Sequence, residues 1–348
     1  MHNIASPQTN PRPTWRKALA QAIRDPDELC DLLDLPKEIR TSARAASKLF
    51  PLVVPREFVE RMRPGDPNDP LLRQVLPLDA EAEEVPGFTV DPVGDAPSRR
   101  ADGLLHKYHG RALLITTGVC AVHCRYCFRR HYPYHEEPRG LEAWEPALAC
   151  LADDPLIAEV ILSGGDPLTL TDEWLARLAS RFEEIGHLQR LRVHTRLPIV
   201  LPQRVDDALL AWLTGTHLQP IMVVHANHPS ELDDACRQAL RRLVDAGVLV
   251  LNQAVLLKGI NDDAATLARL CLELVSLRVM PYYLHQVDRV SGAAHFEVSE
   301  ERGLQLMEDL RGQLPGYALP KYVREVSGEA SKMPVELVSL SSVSQNFA

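Results

Sequence analysis

From Arg111 onward, short apolar runs alternate with longer amphipathic stretches. The runs RALLITT (111–117), EVILSGG (159–165), RLRVHTR (190–196), PIMVVHA (220–226), VLVLNQAVLL (248–257) and VMPYYLH (279–285) are short and rich in aliphatic and β-branched residues, so they predict strands. EAWEPALACLADD (142–154), DEWLARLASRFEEI (172–185), RVDDALLAWLTG (204–215), ELDDACRQALRRLVDAG (231–247), DDAATLARLCLELVSL (262–277) and SEERGLQLMEDLRGQL (299–314) predict helices that follow them. Asp172 and Ser230 read as helix caps. Six β/α units at this spacing predict an α/β fold with a parallel sheet, and six rather than eight predict an incomplete (β/α)6 barrel.

The first 105 residues have another texture. Helical stretches, DPDELCDLLDLP (25–36) and SARAASKLF (42–50), are separated by proline-rich breaks, RPGDPNDP (63–70) and VPGFTVDPVGDAP (85–97). The expected organisation is a mainly helical N-terminal region (1–105), the partial barrel (106–315) and a short C-terminal extension (316–348).

Polar residues gather where the strands should end: Cys120 to Cys127, Ser163 to Pro167, His194 to Arg196, His225 to His228 and His285 to Asp288, with Asn252 and Gln253 inside the fifth strand. In β/α barrels the C-terminal rim of the strands assembles the active site, so one pocket should collect most of these side chains.

Composition narrows the partners. Of 348 residues, 45% are apolar, enough to fill a large core, and a net charge of −9 opposes non-specific binding to nucleic acid. The opening MHNIASPQTNPRP has no apolar signal core and no run approaches a membrane span, so a cytoplasmic protein is expected. Seven scattered cysteines do not resemble a disulfide framework, and Cys30, Cys150, Cys236 and Cys271 read as reduced thiols within helices.

The other three cysteines carry the chemistry. Cys120, Cys124 and Cys127 in TGVCAVHCRYCFRRH have C-x3-C-x2-C spacing, the signature of radical S-adenosylmethionine (SAM) enzymes. Three thiolates satisfy three irons of a [4Fe-4S] cubane and leave the fourth open to the amino and carboxylate groups of SAM. The competing assignment is a structural zinc held by the same thiolates with His123 or His131, but zinc knuckles come as two paired elements and no second pair exists. Ser163-Gly164-Gly165-Asp166-Pro167 puts two glycines at a strand end, where the lack of Cβ lets a ligand approach the backbone. Near the C-terminus, Lys332 in GEASKMP is a Schiff-base candidate for pyridoxal 5′-phosphate (PLP), with Lys258 as its rival.

From about Leu104 to Val335 the chain resembles the lysine 2,3-aminomutase family, on HKYHGRALLITTGVCAVHCRYCFRRH, ILSGGDPL, RLPIVLPQR, LNQAVLLKGIND, MPYYLHQVD with AAHF, and Ser331-Lys332-Met333-Pro334. PDELCDLLDL, ASKLFPLVVPREFVERM and DPNDPLLRQVLP resemble the shorter bacterial branch that makes (R)-β-lysine for modification of elongation factor P. The resemblance implies a radical SAM barrel, a 1,2-amino shift on L-lysine, and a [4Fe-4S] cluster, SAM and PLP as cofactors. It implies that Lys332 carries PLP, that Lys107, Tyr108 and Arg111 contact PLP, and that Ser163, Gly164, Gly165, Asp166, His225 and Gln253 lie against SAM. Arg129 matches the residue for the substrate carboxylate, and Asp288 and Glu325 match the two acids for its ε-ammonium. It further implies an external electron donor and a link to elongation factor P and its lysyl ligase, with no nucleic-acid or membrane partner.

Three departures stand out. Glu325 replaces the usual Asp, Ser327 to Ser331 replaces a run of glycines, and no cysteine-bearing extension follows, so no structural zinc is expected. Rival readings are an aminomutase for glutamate or arginine, a zinc-binding interaction protein on a β/α scaffold, and a scaffold that retains cofactors without turnover.

Overall fold

The computed structural model describes residues 14–336; the opening MHNIASPQTNPRP and the chain end from 337 to 348 lie outside the described residues. One sheet runs in chain order through β1 (Arg99–Ala101), β2 (Leu104–Tyr108), β3 (Arg111–Thr117), β4 (Glu159–Gly164), β5 (Arg190–Thr195), β6 (Gln219–Val224), β7 (Leu249–Val255), β8 (Met280–His285), β9 (Lys321–Arg324) and β10 (Met333–Pro334). Strands β3 to β9 are parallel, while β1 and β2 at one edge and β10 at the other are antiparallel. Among the described residues no ladder joins β10 to β1, so the barrel is open, as six units predict.

The six apolar runs are β3 to β8. Strand β9 adds a seventh parallel strand beyond the six-unit reading, supplied by the C-terminal segment. Position 105 falls inside β2, so the N-terminal segment also enters the sheet.

The helices are α1 (Trp15–Ala20), α2 (Pro26–Leu32), α3 (Lys37–Ala46), α4 (Arg56–Val59), α5 (Glu145–Asp153), α6 (Asp172–Glu183), α7 (Leu197–Val200), α8 (Asp207–Thr214), α9 (Asp234–Asp245), α10 (Ala264–Ser276) and α11 (Glu300–Arg311). Helix α6 buries Leu175, Leu178, Ala179 and Phe182, the i, i+3, i+4, i+7 stripe of a helix lying on a sheet. Its cap is Thr171, which accepts from the Trp174 N–H; Asp172, expected to cap, instead accepts from Arg204 and Trp212. Ser230 likewise does not cap: its N–H donates to His228, while Asp233 caps α9. No helix among the described residues is long and apolar enough to cross a membrane.

Side-chain alternation along the strands creates two layers. In β5, Leu191, Val193 and Thr195 are buried, whereas Arg192 and His194 turn to the barrel interior. The helical N-terminal region shares one continuous apolar core with the barrel, with Leu29, Phe58, Leu72 and Val75 in the same cluster as Leu175 and Val193.

That region also grips the segment after β3. Glu81 lies fully buried between Arg125, which donates through Nε (2.8 Å) and Nη2 (2.5 Å), and Arg130, which donates through Nη2 (2.7 Å). Removing the carboxylate charge leaves two desolvated guanidinium groups without their counter-ion. Glu81→Gln should therefore cost about 3–5 kcal/mol in urea unfolding. Asp245→Asn, at the exposed Arg278–Asp245 pair, should move the midpoint little; equal shifts for the two variants would contradict this role for Glu81.

Candidate active site

The strand ends surround a cavity of about 310 Å³. Every residue assigned a site role from sequence lines it: Tyr108, Arg111 and the three cysteines from β2, β3 and the following loop; Arg129 beyond them; Ser163, Gly164, Gly165 and Asp166 at the end of β4; His225 and Gln253 from β6 and β7; and Asp288, Glu325 and Lys332 from the C-terminal third. Lys258, the rival lysine, is exposed and outside this cavity.

The cysteine loop owes its course to the two glycines. A Cβ on Gly164 would sit 2.6 Å from the Thr117 carbonyl oxygen, and one on Gly165 would sit 2.4 Å from that of Val119. The Gly165 N–H donates to Thr117 O (2.6 Å) and the Asp166 N–H to Val119 O (2.8 Å). The glycines thus admit the neighbouring backbone, a tighter demand than the ligand approach expected from sequence. Gly164 also has φ +116°, which favours glycine.

Asp166 is spent on structure. Its carboxylate accepts from the Leu168 N–H, the Thr195 hydroxyl (2.7 Å) and the Arg196 N–H (2.8 Å), tying the ends of β4 and β5 together. Other rim residues are also structural. Asn252 exchanges hydrogen bonds with the Ala226 backbone, His228 caps the turn at 229–231, and Gln286 donates to Val298 O and accepts from Tyr322.

All seven cysteines are free thiols, three of them on this cavity wall. Burial pushes Cys127 up to about 11 and raises Cys120 well above the ordinary thiol range, so a bound metal must displace their protons. The histidines proposed for zinc spend a ring nitrogen on carbonyls, His123 on Pro51 and His131 on Ser291, and no three His, Cys, Asp or Glu among the described residues close on a single-ion site. Cys124 Sγ instead accepts from Arg196 Nη1 at 2.8 Å. Three cysteines, with no fourth donor closing on them among the described residues, suit a cluster with an open iron.

Room for organic ligands is marked by orphaned polar atoms. Nε2 of His194 and of His285 are buried without a partner, although both rings line the cavity. Burial keeps both histidines neutral, and His225 falls to about 4 for the same reason. Near Lys332 stand Arg111, whose guanidinium lies 4.7 Å over the Tyr108 ring, and the paired rings of Tyr282 and Tyr283, 3.7 Å apart. A cation, aromatic faces and an amine suit an aromatic aldehyde phosphate.

A chain of ion pairs runs through the site. Arg129 donates to Ser163 Oγ (3.1 Å) and to Asp95 (2.7 Å), and Lys107 also reaches Asp95 (2.9 Å). Burial opposes the charge of Asp95, but Arg129 and Lys107 outweigh it and bring the carboxyl down to about 2. Glu325 accepts from Lys332 Nζ (2.5 Å) and from the Tyr108 hydroxyl, and it titrates below the usual range because these partners and Lys107 overcome its burial. Asp288 is different. Burial raises its carboxyl to about 7, with Lys332 pulling down and Glu325 pushing up.

Sequence reasoning missed Asp95, Arg192 and the Tyr282–Tyr283 pair. Asp95 sat in a proline-rich break read only as a loop; its signal was a lone carboxylate in Gly-Asp-Ala-Pro, which resembles any turn.

Residues 114–271 match the family model described as Radical SAM superfamily. The chain is 48% identical to an L-lysine 2,3-aminomutase of Escherichia coli (strain K12), over 97% of this chain and 98% of that protein. It is 45% identical to one of Haemophilus influenzae, over 91% and 94%, and 33% identical to one of Clostridium subterminale, over 92% and 77%.

A methyl group at Gly165 should push the cysteine loop off β4. Gly165→Ala should fold yet take up much less iron and sulfide on anaerobic reconstitution; unchanged iron content with intact far-UV circular dichroism would contradict the close approach.

Proposed function

The chain belongs to the lysine 2,3-aminomutase family of radical SAM enzymes, and from that premise we propose that it makes (R)-β-lysine from L-lysine, with the side chains of one cavity in distinct roles. It is a radical SAM lysine aminomutase that uses a [4Fe-4S] cluster, SAM and PLP. When bound, the cluster and SAM supply a hydrogen-abstracting radical, and PLP supplies a ring system that spreads an unpaired electron during the amino shift.

Cys120, Cys124 and Cys127 hold the cluster. Ser163, the backbone of Gly164 to Asp166, His225 and Gln253 receive SAM, while Tyr108, Arg111 and Lys332 receive PLP. Arg129 takes the substrate carboxylate, and its alignment comes from Asp95. Asp288 and Glu325 take the ε-ammonium. Glu325 accepts from Lys332 Nζ, so this acid stands directly beside the amine that would hold PLP. The remaining task of the protein is to fix the substrate and exclude water.

The observation that carries this reading is the charge layout of the cavity lining, which holds a buried guanidinium, Arg129, together with two carboxylates, Asp288 and Glu325, that act on the Lys332 amine. Glutamate is disfavoured because its side-chain carboxylate would face Asp288 and Glu325. The N-terminal segments that resemble the elongation factor P branch support a cytoplasmic supply of β-lysine to that factor's ligase, with an external one-electron donor for the cluster.

Two measurements test the reading. Anaerobic incubation with cofactors, reductant and L-lysine, followed by chiral chromatography, should yield (R)-β-lysine, with none from Lys332→Ala; unchanged lysine despite SAM cleavage would remove the substrate assignment. In calorimetric titrations of lysine without SAM, affinity should fall about tenfold per pH unit below about 7, because a proton on Asp288 competes with the ε-ammonium. Asp288→Asn should weaken binding about thirtyfold or more at pH 8 and flatten this dependence. A pH profile shared by the variant would rule Asp288 out as its source.

A further inference from the structure

Arg196 follows β5 and has no partner in the substrate roles above. Its side chain is 5% exposed and points at the cysteine loop, where Nη1 donates to Cys124 Sγ at 2.8 Å. Nη2 is fixed by two acceptors, Gln74 Oε1 (2.5 Å) and Glu231 Oε2 (2.9 Å). The central carbon of the guanidinium lies over two rings, 5.6 Å from the centroid of Phe58 and 5.7 Å from that of Tyr126.

Its neighbours are themselves immobilised. Glu231 accepts from the backbone N–H groups of Asn227 and His228 and from Gln74 Nε2, so its charge is shared among several donors. Gln74 Oε1 also accepts from Asn227 Nδ2, and the Gln74 carbonyl accepts the Arg125 N–H inside the cysteine loop. The arginine is thus held from the N-terminal region, β5 and the turn after β6. The pair with Glu231 accounts for a buried cation here, but it occupies only Nη2; the other arm of the fork, Nη1, is directed at a sulfur and calls for another account.

We infer that Arg196 is a positioning residue that acts through Cys124 to raise the reduction potential of the cluster, an inference that rests on the reading of Cys124 as a cluster ligand. Reduction adds one electron, taken from an external one-electron donor, and breaks no bond in the protein. The added negative charge spreads onto the ligating sulfurs. A hydrogen bond from a fixed cation to one of them stabilises the reduced form more than the oxidised form, and hydrogen bonds to sulfur are among the recognised determinants of cluster potential. The low dielectric around Arg196 and the absence of reorganisation strengthen the effect.

The test uses the anaerobically reconstituted holoprotein without SAM or lysine. Iron and sulfide analysis comes first: failure of the wild type to assemble a [4Fe-4S] cluster, or full loading of Cys124→Ala, would sink the cysteine assignment itself. With clusters loaded, redox titration followed by electron paramagnetic resonance should show a lower midpoint in Arg196→Gln, with a reduced-to-oxidised ratio about tenfold smaller at a fixed potential, equivalent to about 59 mV for one electron. Arg196→Lys, which keeps the charge without the fork, should fall between. Equal midpoints in Arg196→Gln and wild type would overturn the inference and leave Arg196 a structural clamp. Should Arg196→Gln not load a cluster, pulsed resonance on wild-type protein carrying ¹⁵N-arginine decides: a nitrogen coupled to the reduced cluster, lost in Arg196→Lys, supports the inference, and no coupling overturns it.

Discussion

The placement of Glu81 between Arg125 and Arg130 is the constraint on which the site depends. The cysteine loop has no helix or strand to hold it. Buried charges from a separate part of the chain supply the missing order, and the Arg125 guanidinium also donates to Phe50 O while its backbone N–H reaches Gln74 O. Burying three charges is costly, and an apolar cluster of similar volume would stabilise at least as well. Geometry is what the charges provide: a guanidinium fork against a carboxylate fixes direction as well as distance. The N-terminal helices are therefore part of the active-site architecture.

A second set of ion pairs organises the cavity. Arg129, Asp95, Lys107, Glu325 and Lys332 form an alternating series of cations and anions, so each side chain is oriented by its neighbours in the series. Preorganised charge in a cavity closed to water acts strongly on ligand groups of opposite sign. Asp288 stands out from the series because burial, with Glu325 nearby, raises its carboxyl to about 7, so that it is about half ionised at pH 7. A ligand cation would tip it to the ionised form, which couples substrate binding to proton release.

Much of this was legible in the sequence, for physical reasons that differ from part to part. Strands β3 to β8 were visible because strands of a parallel sheet keep short apolar runs between the helices, in β5 reduced to Leu191 and Val193 alternating with polar residues. Strand β9, Lys-Tyr-Val-Arg, carries charges at both ends and only two buried residues, so nothing marks it as a strand until β8 offers its edge. The cysteines and Lys332 were legible because their spacing and setting are specific. The roles within SGGDP were not. Gly164 and Gly165 answer to a loop about 45 residues earlier in the chain, and Asp166 to the next strand, relations that only the fold reveals. The cap failed at Asp172 because the preceding Thr171 took that position, and at Ser230 because the helix begins later, at Asp234 under Asp233, while Ser230 lies inside the turn at 229–231. Asp95 was silent because its partners, Lys107 and Arg129, come together only when β2 and the cysteine loop are folded side by side.

The central claim is that one cavity brings a SAM-derived radical to a lysine held beside Lys332. The most direct test supplies L-lysine deuterated at C3 to the reconstituted enzyme and follows deuterium into the 5′ position of the adenosyl product by mass spectrometry. The account predicts transfer in the wild-type protein and its loss in Lys332→Ala. Cleavage of SAM with no deuterium transferred from lysine would contradict it.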